Sequence, residues 1–213
     1  MIDQARLDLI RRKHGSYASW AIWAPASGTP KSNMGNLDVL DERANPALLA
    51  TLNPGVVMVG LNFSRFRPHG AFGNFHDPSP VANDFKIRFA FSGTAFWGAY
   101  MTDAIKEVVE LVSGNLLDYL KIHPEVVSRS METLRVELAD LGHPRPVILA
   151  FGGMAYSLLY QNLEPDDYSL LVRITHYSHY ISKENYKEEV HKQIALAQLG
   201  LPNTALEPTP TAP

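Results

Sequence analysis

Four short apolar runs recur along the chain, and each is bounded by polar or turn-forming residues. They are Val56–Val59, Phe96–Met101, Val147–Phe151 and Leu170–Ile174, of which the last includes Arg173. Runs of four to six apolar residues without polar alternation are typical of strands that are buried on both faces. Such strands occur in parallel sheets that are covered by helices. The pattern therefore predicts four parallel strands.

Segments with helical periodicity lie between and around these runs. In residues 124–141 the apolar side chains step by four and by three, which places them in one stripe along a helix. Further helices are predicted over residues 3–13, 104–112, 154–160 and 182–197. Tyr17 to Trp23 alternates loosely, as an edge strand or an extended arm does. The alternation of strands and helices predicts an α/β fold, a three-layer α/β/α arrangement with a central four-stranded parallel sheet.

The length of 213 residues and the hydrophobic content of 46% suit one α/β domain. We expect this domain to span residues 1–200, because no linker composition divides them. Residues 201–213 are rich in proline and threonine and predict a disordered tail. The connection over residues 62–95 is rich in Gly, Pro, Phe and basic residues, and connections of that length are often functional.

The amino-acid composition excludes several kinds of site. The chain contains no cysteine, which excludes disulfides, thiolate nucleophiles, zinc sites with sulfur ligands and cysteine-ligated iron–sulfur clusters. We expect neither a metal nor a cofactor. No apolar run approaches the ~20 residues that span a bilayer, and charged residues interrupt the N-terminus where a signal peptide would be apolar. We expect a soluble, cytoplasmic monomer without a membrane partner.

Polar turns follow each predicted strand. They are Asn62–Ser64, Thr102–Asp103, Gly152–Gly153 and Thr175–Ser178. The carboxyl ends of parallel strands meet at one edge of a sheet, where open α/β folds bind their ligands. The sequence therefore predicts a ligand cleft at this edge.

Three of these segments resemble signatures of the uracil-DNA glycosylase superfamily. Gly60-Leu61-Asn62-Phe63-Ser64 resembles the first signature, Gly-x-Asn-Pro-Gly/Ser, and His176-Tyr177-Ser178 resembles the second, His-Pro-Ser. Residues 99–106 are similar to the second strand of the family, commonly Tyr-Ile-Thr-Asn-x-x-Lys. Order and spacing agree over about residues 55–195.

The resemblance implies roles for two catalytic residues. Asn62 would hold the water that attacks the sugar C1′, since an amide offers a donor and an acceptor. The alternative is an asparagine that caps its own turn. His176 would donate a hydrogen bond to the charge that grows on the departing base, which is among the largest catalytic effects. The alternative is a histidine satisfied by the backbone of a surface turn.

The same resemblance implies a base-binding set of Phe75, Asp103, Gly60, Ser64 and Ser178. Phe75 would stack on the extruded base, or it is a core residue of the long loop. Asp103 would read the base edge, or it caps a helix over residues 104–112. An ionised carboxylate accepts but does not donate, so it suits an N–H-bearing edge such as that of hypoxanthine or xanthine better than uracil O4.

Four further residues are predicted to contact DNA. Arg65, Arg67 and Lys106 would bind phosphates, and Tyr177 would wedge into the base stack. With Lys86 and Arg88, the two arginines give residues 62–92 a basic bias in a chain whose net charge is −3. Charged side chains in contact with solvent only are the alternative.

These observations favour a DNA base-excision glycosylase that hydrolyses the N-glycosidic bond of a damaged or deaminated base, with single- or double-stranded DNA as its partner. The alternative is a non-catalytic nucleic-acid or nucleotide-binding module. It is motivated by Phe63 and Tyr177, which replace the family's prolines, and by the acidic net charge. A hydrolase of free nucleosides or other small molecules is a third hypothesis.

Overall fold

The protein is built around strand β2, which runs from Asn53 to Asn62 in the middle of the sheet. The computed structural model describes residues 1–62, 70–106, 108 and 113–200. In that part of the chain the strands are β1 (Ser19–Trp20), β2, β3 (Ala99–Ile105), β4 (Val147–Phe151) and β5 (Leu170–Ile174). The helices are α1 (Gln4–His14), α2 (Leu48–Thr51), α3 (Phe85–Phe91), α4 (Ser113–Ile122), α5 (Pro124–Leu141), α6 (Gly152–Asn162) and α7 (Lys183–Gln198), with a 3-10 turn at Leu37–Leu40.

The strands form one mostly parallel sheet in the order β1-β3-β2-β4-β5. β2 pairs in parallel with β3 and β4, β4 pairs in parallel with β5, and only β1 is antiparallel to its neighbour β3. The prediction of an α/β fold is confirmed. The sheet has five strands rather than the predicted four, because the short edge strand at Ser19–Trp20 extends it beyond β3.

Alternate residues of the strands pack against different helices. Val57 and Val59 of β2 belong to an apolar cluster with residues of α1, α5 and α6, such as Leu7, Leu134 and Leu159. Val56 and Met58 belong to a second cluster, which includes Ile87 of α3 and Val190 of α7. Because successive strand residues point to opposite faces, helices contact the sheet from both sides.

The boundary of β3 differs from the prediction. The sequence predicts a helix from residue 104, whereas Ala104 and Ile105 continue the strand, and Ile105 pairs with Asn62. Both side chains are fully buried, so pairing with β2 outweighs the local helix-forming composition. Asp103 therefore lies inside a strand, and its predicted role as a helix cap is wrong.

The long connection before β3 contains helix α3, which the sequence does not predict. Most of its residues are buried, so it lacks the polar face that makes a helix recognisable from its pattern. Helix α4 was also not predicted. The ends of other helices follow the sequence signals, since Pro124 begins α5 and Gly142, with φ of 65°, ends it. Residues 201–213, the predicted tail, lie outside the described residues.

No helix in the described ranges combines the length and the apolar composition needed to cross a membrane.

Candidate functional site at the carboxyl edge of the sheet

Gly60, Asp103 and Phe75 meet near the carboxyl ends of the two central strands. Gly60 of β2 pairs with Asp103 of β3. A Cβ atom added to Gly60 would lie 2.2 Å from Oδ1 of Asp103 and 3.4 Å from Cζ of Phe75. Glycine at position 60 thus lets a carboxylate and an aromatic ring approach the strand backbone. Three predicted base-binding residues are brought together here.

The amide of Asn74 holds the Asp103 carboxylate. Its Nδ2 donates to Oδ2 of Asp103 at 2.8 Å and to the carbonyl oxygen of Tyr17 at 2.8 Å. Its Oδ1 accepts from the backbone N–H of Phe75 at 3.1 Å. Asn74 and Asp103 are 7% and 3% exposed, so these bonds form away from water. Sequence reasoning missed Asn74, because its partners lie 57 and 29 positions away and only its position before Phe75 could have drawn attention to it.

Two buried carboxyl groups lie near each other. Burial raises the pKa of Asp103 from 3.8 to about 6, while the bond from Asn74 and the charge of Lys106 act in the opposite direction. Burial also raises the pKa of Asp84 to about 7, with further increases from Asp77 and Asp103. The Oδ2 atom of Asp84 accepts the backbone N–H of Asp77 at 3.0 Å. Sequence reasoning did not assign Asp84 to the site.

Four rings pack together at the adjacent strand ends, and two of them, Phe75 and Phe151, are buried core residues at 4% and 1% exposure. Phe75 lies 6.3 Å from Phe151 and 6.4 Å from Tyr177, measured between ring centroids. Tyr177 stacks on His176 at 4.3 Å and meets Phe151 edge-on at 5.2 Å. Phe75 has φ of 63°, a conformation that is rare for a phenylalanine. Its carbonyl oxygen accepts Nε1–H of Trp23 at 3.1 Å, which helps to hold this backbone in place.

Tyr177 lies against this cluster rather than extending into solvent. It is half-buried and packs with the apolar cluster that contains Phe75 and Phe151. Its pKa is raised well above 10, first by burial and then by the charges of Asp84 and Asp103. The predicted insertion of Tyr177 into a base stack would require this ring to leave its contacts, and it stays a prediction.

His176 is held in one tautomer. Its Nδ1 accepts the backbone N–H of Ser178 at 3.1 Å and lies 2.8 Å from Oγ of Ser178. A backbone N–H can only donate, so Nδ1 carries no proton and the neutral ring has its hydrogen on Nε2. Burial lowers the pKa of His176 to about 4. Near neutral pH the ring is therefore an uncharged Nε2–H donor. Ser178 thus fixes the tautomer of His176 through its backbone N–H.

The turn that carries His176 is fastened from two helices. The backbone N–H of Thr175 donates to Oε1 of Gln193 on α7 at 2.8 Å. Nζ of Lys86 on α3 donates to the carbonyl oxygen of His179 at 2.8 Å. Gly152 lies beneath the ring, because a Cβ added there would be 3.5 Å from Cβ of His176. These contacts fix the turn on both sides of the histidine.

Asn62 ends β2 at the same edge of the sheet. Its side chain is half-buried, and its Nδ2 donates to the carbonyl oxygen of Val108 at 3.3 Å. The parallel sheet places the last residue of β2 and the turn after β5 at the same edge. Ser64, Arg65 and Arg67, which the sequence also assigns to the site, lie outside the described residues.

Lys106 is engaged inside the protein. Its Nζ forms an ion pair with Oε1 of Glu137 at 2.7 Å and donates to the carbonyl oxygen of Asp103 at 2.5 Å. The side chains of Lys106 and Glu137 are 6% and 0% exposed. Tyr100 donates to the second oxygen of Glu137 at 2.7 Å. A phosphate contact by Lys106 would have to compete with this buried network.

Lys86 and Arg88, which contribute to the basic bias of residues 62–92, also point inward. Both residues are 6% exposed. The guanidinium of Arg88 donates to the carbonyl oxygens of Ala24, Pro30 and Ser32 at 2.7–2.9 Å. Neither side chain is a solvated charge or part of an exposed basic surface.

Within the described residues, no group of three or more His, Asp and Glu side chains is arranged to hold a metal ion. The contacts at this edge join Asn74, the carboxylate of Asp103, a neutral histidine and an aromatic cluster, and Asn62 ends β2 at the same edge of the sheet. No family model, curated protein or solved structure matches this chain.

Proposed function

We propose that the protein is a DNA base-excision glycosylase that hydrolyses the N-glycosidic bond of a damaged or deaminated base. One observation carries the proposal: Nδ1 of His176 accepts the backbone N–H of Ser178. This bond leaves a neutral Nε2–H donor at the carboxyl edge of the sheet. A fixed neutral donor is suited to stabilise negative charge that develops on a leaving group.

The reaction needs little beyond this donor and a positioned water. Asn62 orients the water, its oxygen forms a bond to C1′ of the sugar, and the bond from C1′ to the base nitrogen breaks. The base leaves with the electron pair and takes up a proton, while the water supplies the new hydroxyl group. His176 donates a hydrogen bond to the base as its charge grows.

The aromatic cluster and Asp103 provide the base site in this proposal. Phe75 offers a stacking surface, worth ~1–3 kcal/mol per base, and Asp103 meets the edge of the base. Gly60 and Ser178 shape the two sides of the site, and the base reaches it by leaving the stack. Ser64 belongs to the base site of the proposal, DNA contacts come from Arg65, Arg67 and Tyr177, and Lys106 contributes through the buried network.

The proposal includes a three-layer α/β/α architecture around the four parallel strands, supported by the two apolar clusters on either side of β2. It also includes an intracellular monomer that needs no metal or cofactor for this hydrolysis.

The test is base release from oligonucleotides. Single- and double-stranded DNA with one hypoxanthine, xanthine or uracil is incubated with the protein, and abasic sites are measured by strand cleavage in alkali. We expect His176→Ala and Asn62→Ala to reduce the rate at least 100-fold. His143→Ala is the matched control, because His143 is exposed and lies beside Gly55 near the start of β2. Absence of abasic sites with every base would refute the activity.

The inward direction of Lys86 and Lys106 favours a second candidate, a module that binds a nucleotide without cleaving it. Both lysines are bonded within the protein, which leaves fewer cations for a DNA backbone. Measured binding of the oligonucleotides or of free nucleotides, without formation of abasic sites, supports this alternative.

A further inference from the structure

Residues 72–76 pass from one face of the sheet to the other near its carboxyl edge, and we refer to this segment as the clip. The ring of Phe72 belongs to the apolar cluster that faces α1 and α5. The ring of Phe75 belongs to the cluster that faces α3 and α7. The two residues are 1% and 4% exposed. The clip is therefore packed on both faces of the sheet at once.

The backbone of the clip is strained at two positions. Phe72 and Phe75 have φ of 64° and 63°, a conformation that is unfavourable for a bulky side chain. Side-chain donors hold both residues there. Oγ of Ser19 donates to the carbonyl oxygen of Phe72 at 2.7 Å, and Nε1 of Trp23 donates to that of Phe75 at 3.1 Å. Strain of this kind persists only where surrounding contacts enforce it, so opening the clip would release it.

His76 brings a polar ring into the core without a partner for it. It is 1% exposed and lies against Trp23, with ring centroids 5.2 Å apart. Burial lowers the pKa of His76 to about 4 and outweighs the nearby carbonyl oxygens of Trp20 and Met34, so the ring is neutral near neutral pH. Among the described residues, neither ring nitrogen has a hydrogen-bond partner. An unpaired buried group favours a conformation in which water reaches it.

The clip covers the carboxylate that the proposed function requires. Nδ2 of Asn74 donates to Oδ2 of Asp103 at 2.8 Å, and Asp103 is only 3% exposed. Phe75 is also buried. In contrast, Asn62 and His176 are partly exposed. A base can therefore approach the two predicted catalytic residues but cannot reach Asp103 while the clip is closed.

We propose that the clip is a two-state gate, which opens as a unit and admits a base to Asp103 only in its open form. The inference rests on the proposed function and concerns the regulation of that same site. Hydrogen bonds from Ser19, Trp23 and Asn74 hold the clip closed, whereas the strained backbone and the unpaired ring of His76 favour opening. A ligand that binds only the open form shifts the population towards it.

Amide hydrogen exchange, followed by NMR, detects the opening without any substrate. The backbone N–H groups of Phe72, Phe75 and His76 each donate a hydrogen bond within the protein. In the wild type we expect these three amides to exchange with the same protection, about 100-fold less than the ladder amides of β3. A segment that is only a part of the core would be protected as strongly as β3.

Two variants should shift the gate in opposite directions. Ser19→Ala removes the bond to the carbonyl oxygen of Phe72 and should speed exchange of the clip about tenfold. His76→Leu removes the unpaired nitrogens, keeps a buried side chain of similar size and should slow exchange of the clip. Ser128→Ala is the matched control, because Oγ of Ser128 makes an exposed bond to the carbonyl oxygen of Pro124. If one variant does not fold, the wild-type exchange and the other variant still decide the question.

Base release from the hypoxanthine oligonucleotide connects the gate to the proposed activity. Below saturation the rate should follow the open fraction of the protein. Ser19→Ala should therefore release the base about tenfold faster than the wild type, and His76→Leu should release it more slowly. The less stable variant would be the faster enzyme, which a purely structural role of Ser19 does not predict.

Clip amides that are protected as strongly as those of β3 would overturn the gate, whatever the rate of base release. Fast clip exchange with base release unchanged or slower in Ser19→Ala would also overturn the gate and would keep the glycosylase. Fast clip exchange without base release in any variant would refute the glycosylase and keep the opening of the clip.

Discussion

The backbone N–H of Ser178 donates to Nδ1 of His176, and this bond decides which ring nitrogen carries the proton. With a pKa of about 4, the ring stays neutral at pH 6, where an unperturbed histidine is largely charged. We expect ¹⁵N NMR at pH 6 to show protonated Nε2 and unprotonated Nδ1.

The same bond predicts the pH dependence of base release. The part that depends on His176 should persist from pH 8 down to about pH 5 and fall only towards pH 4. Ser178→Ala keeps the backbone N–H and loses only the Oγ contact, so it should retain the tautomer. A decline in activity centred near pH 6.5 in the wild type, matched by NMR titration of His176, would contradict the assignment.

Gly60→Ala should weaken both stability and ligand binding, since the new methyl group would lie 2.2 Å from Oδ1 of Asp103. We expect a loss of about 1–3 kcal/mol in the free energy of unfolding, typical of overpacking. Asp103→Ala removes the oxygen that clashes. In a double-mutant cycle followed by urea unfolding, the combined variant should regain part of the loss. Additive effects would show that the clash lies elsewhere.

Lys106→Met should destabilise the protein by about 3–5 kcal/mol, because it leaves the Glu137 charge buried without its partner. Lys106→Met combined with Glu137→Gln should recover most of this loss. Urea unfolding measures both variants. If Lys106 instead serves a phosphate, the single variant should keep its stability and lose oligonucleotide affinity.

Oligonucleotide affinity should fall steeply as salt rises if Arg65 and Arg67 contact phosphates. Each arginine changed to alanine should reduce the slope of log affinity against log salt by about 1. Lys86→Ala should leave the slope unchanged, because Nζ of Lys86 is bonded to the carbonyl oxygen of His179. Fluorescence anisotropy measures the affinity at salt concentrations of about 50 to 200 mM. Binding that ignores salt would favour the small-molecule alternative.

We expect Asp84 to make the protein less stable at alkaline pH. Its pKa is about 7 in the folded protein and 3.8 as its ordinary value, so the folded state holds a proton that the unfolded chain releases. Stability from this group is present below pH 4 and is lost as pH rises through 7. The free energy of unfolding of Asp84→Asn, taken relative to that of the wild type, should therefore be higher at pH 8 than at pH 5. The expected difference is on the order of 2–4 kcal/mol. Urea unfolding of both proteins at pH 5 and pH 8 measures this difference. The same stability difference at the two pH values would contradict the prediction.

The strand pattern predicted the fold class because buried parallel strands are continuous apolar runs, as in Val56–Val59 and Val147–Phe151. It failed at Ala104 and Ile105, where local composition favours a helix and the pairing with β2 prevails. Helix α3 escaped prediction because its buried residues leave no polar face.

The candidate site was predictable where it depends on strand ends and was not where it depends on contacts between distant segments. Asn62, Asp103 and His176 follow from strand positions. Asn74 reaches Asp103 across 29 positions, and no local pattern marks such a bond. The inward direction of Lys106 was equally hidden, since its partner Glu137 lies on a separate helix.

The three carbonyl oxygens held by Arg88 have a consequence for engineering. The segment 25–36 has the glycine and proline content of a loop that is usually shortened without harm. Here two of the acceptors, Pro30 and Ser32, belong to that segment. A deletion that removes them would leave the buried guanidinium of Arg88 without two of its acceptors. It would also loosen α3, whose Lys86 holds the turn that carries His176. Trimming this distant loop would therefore disturb the histidine that the chemistry requires.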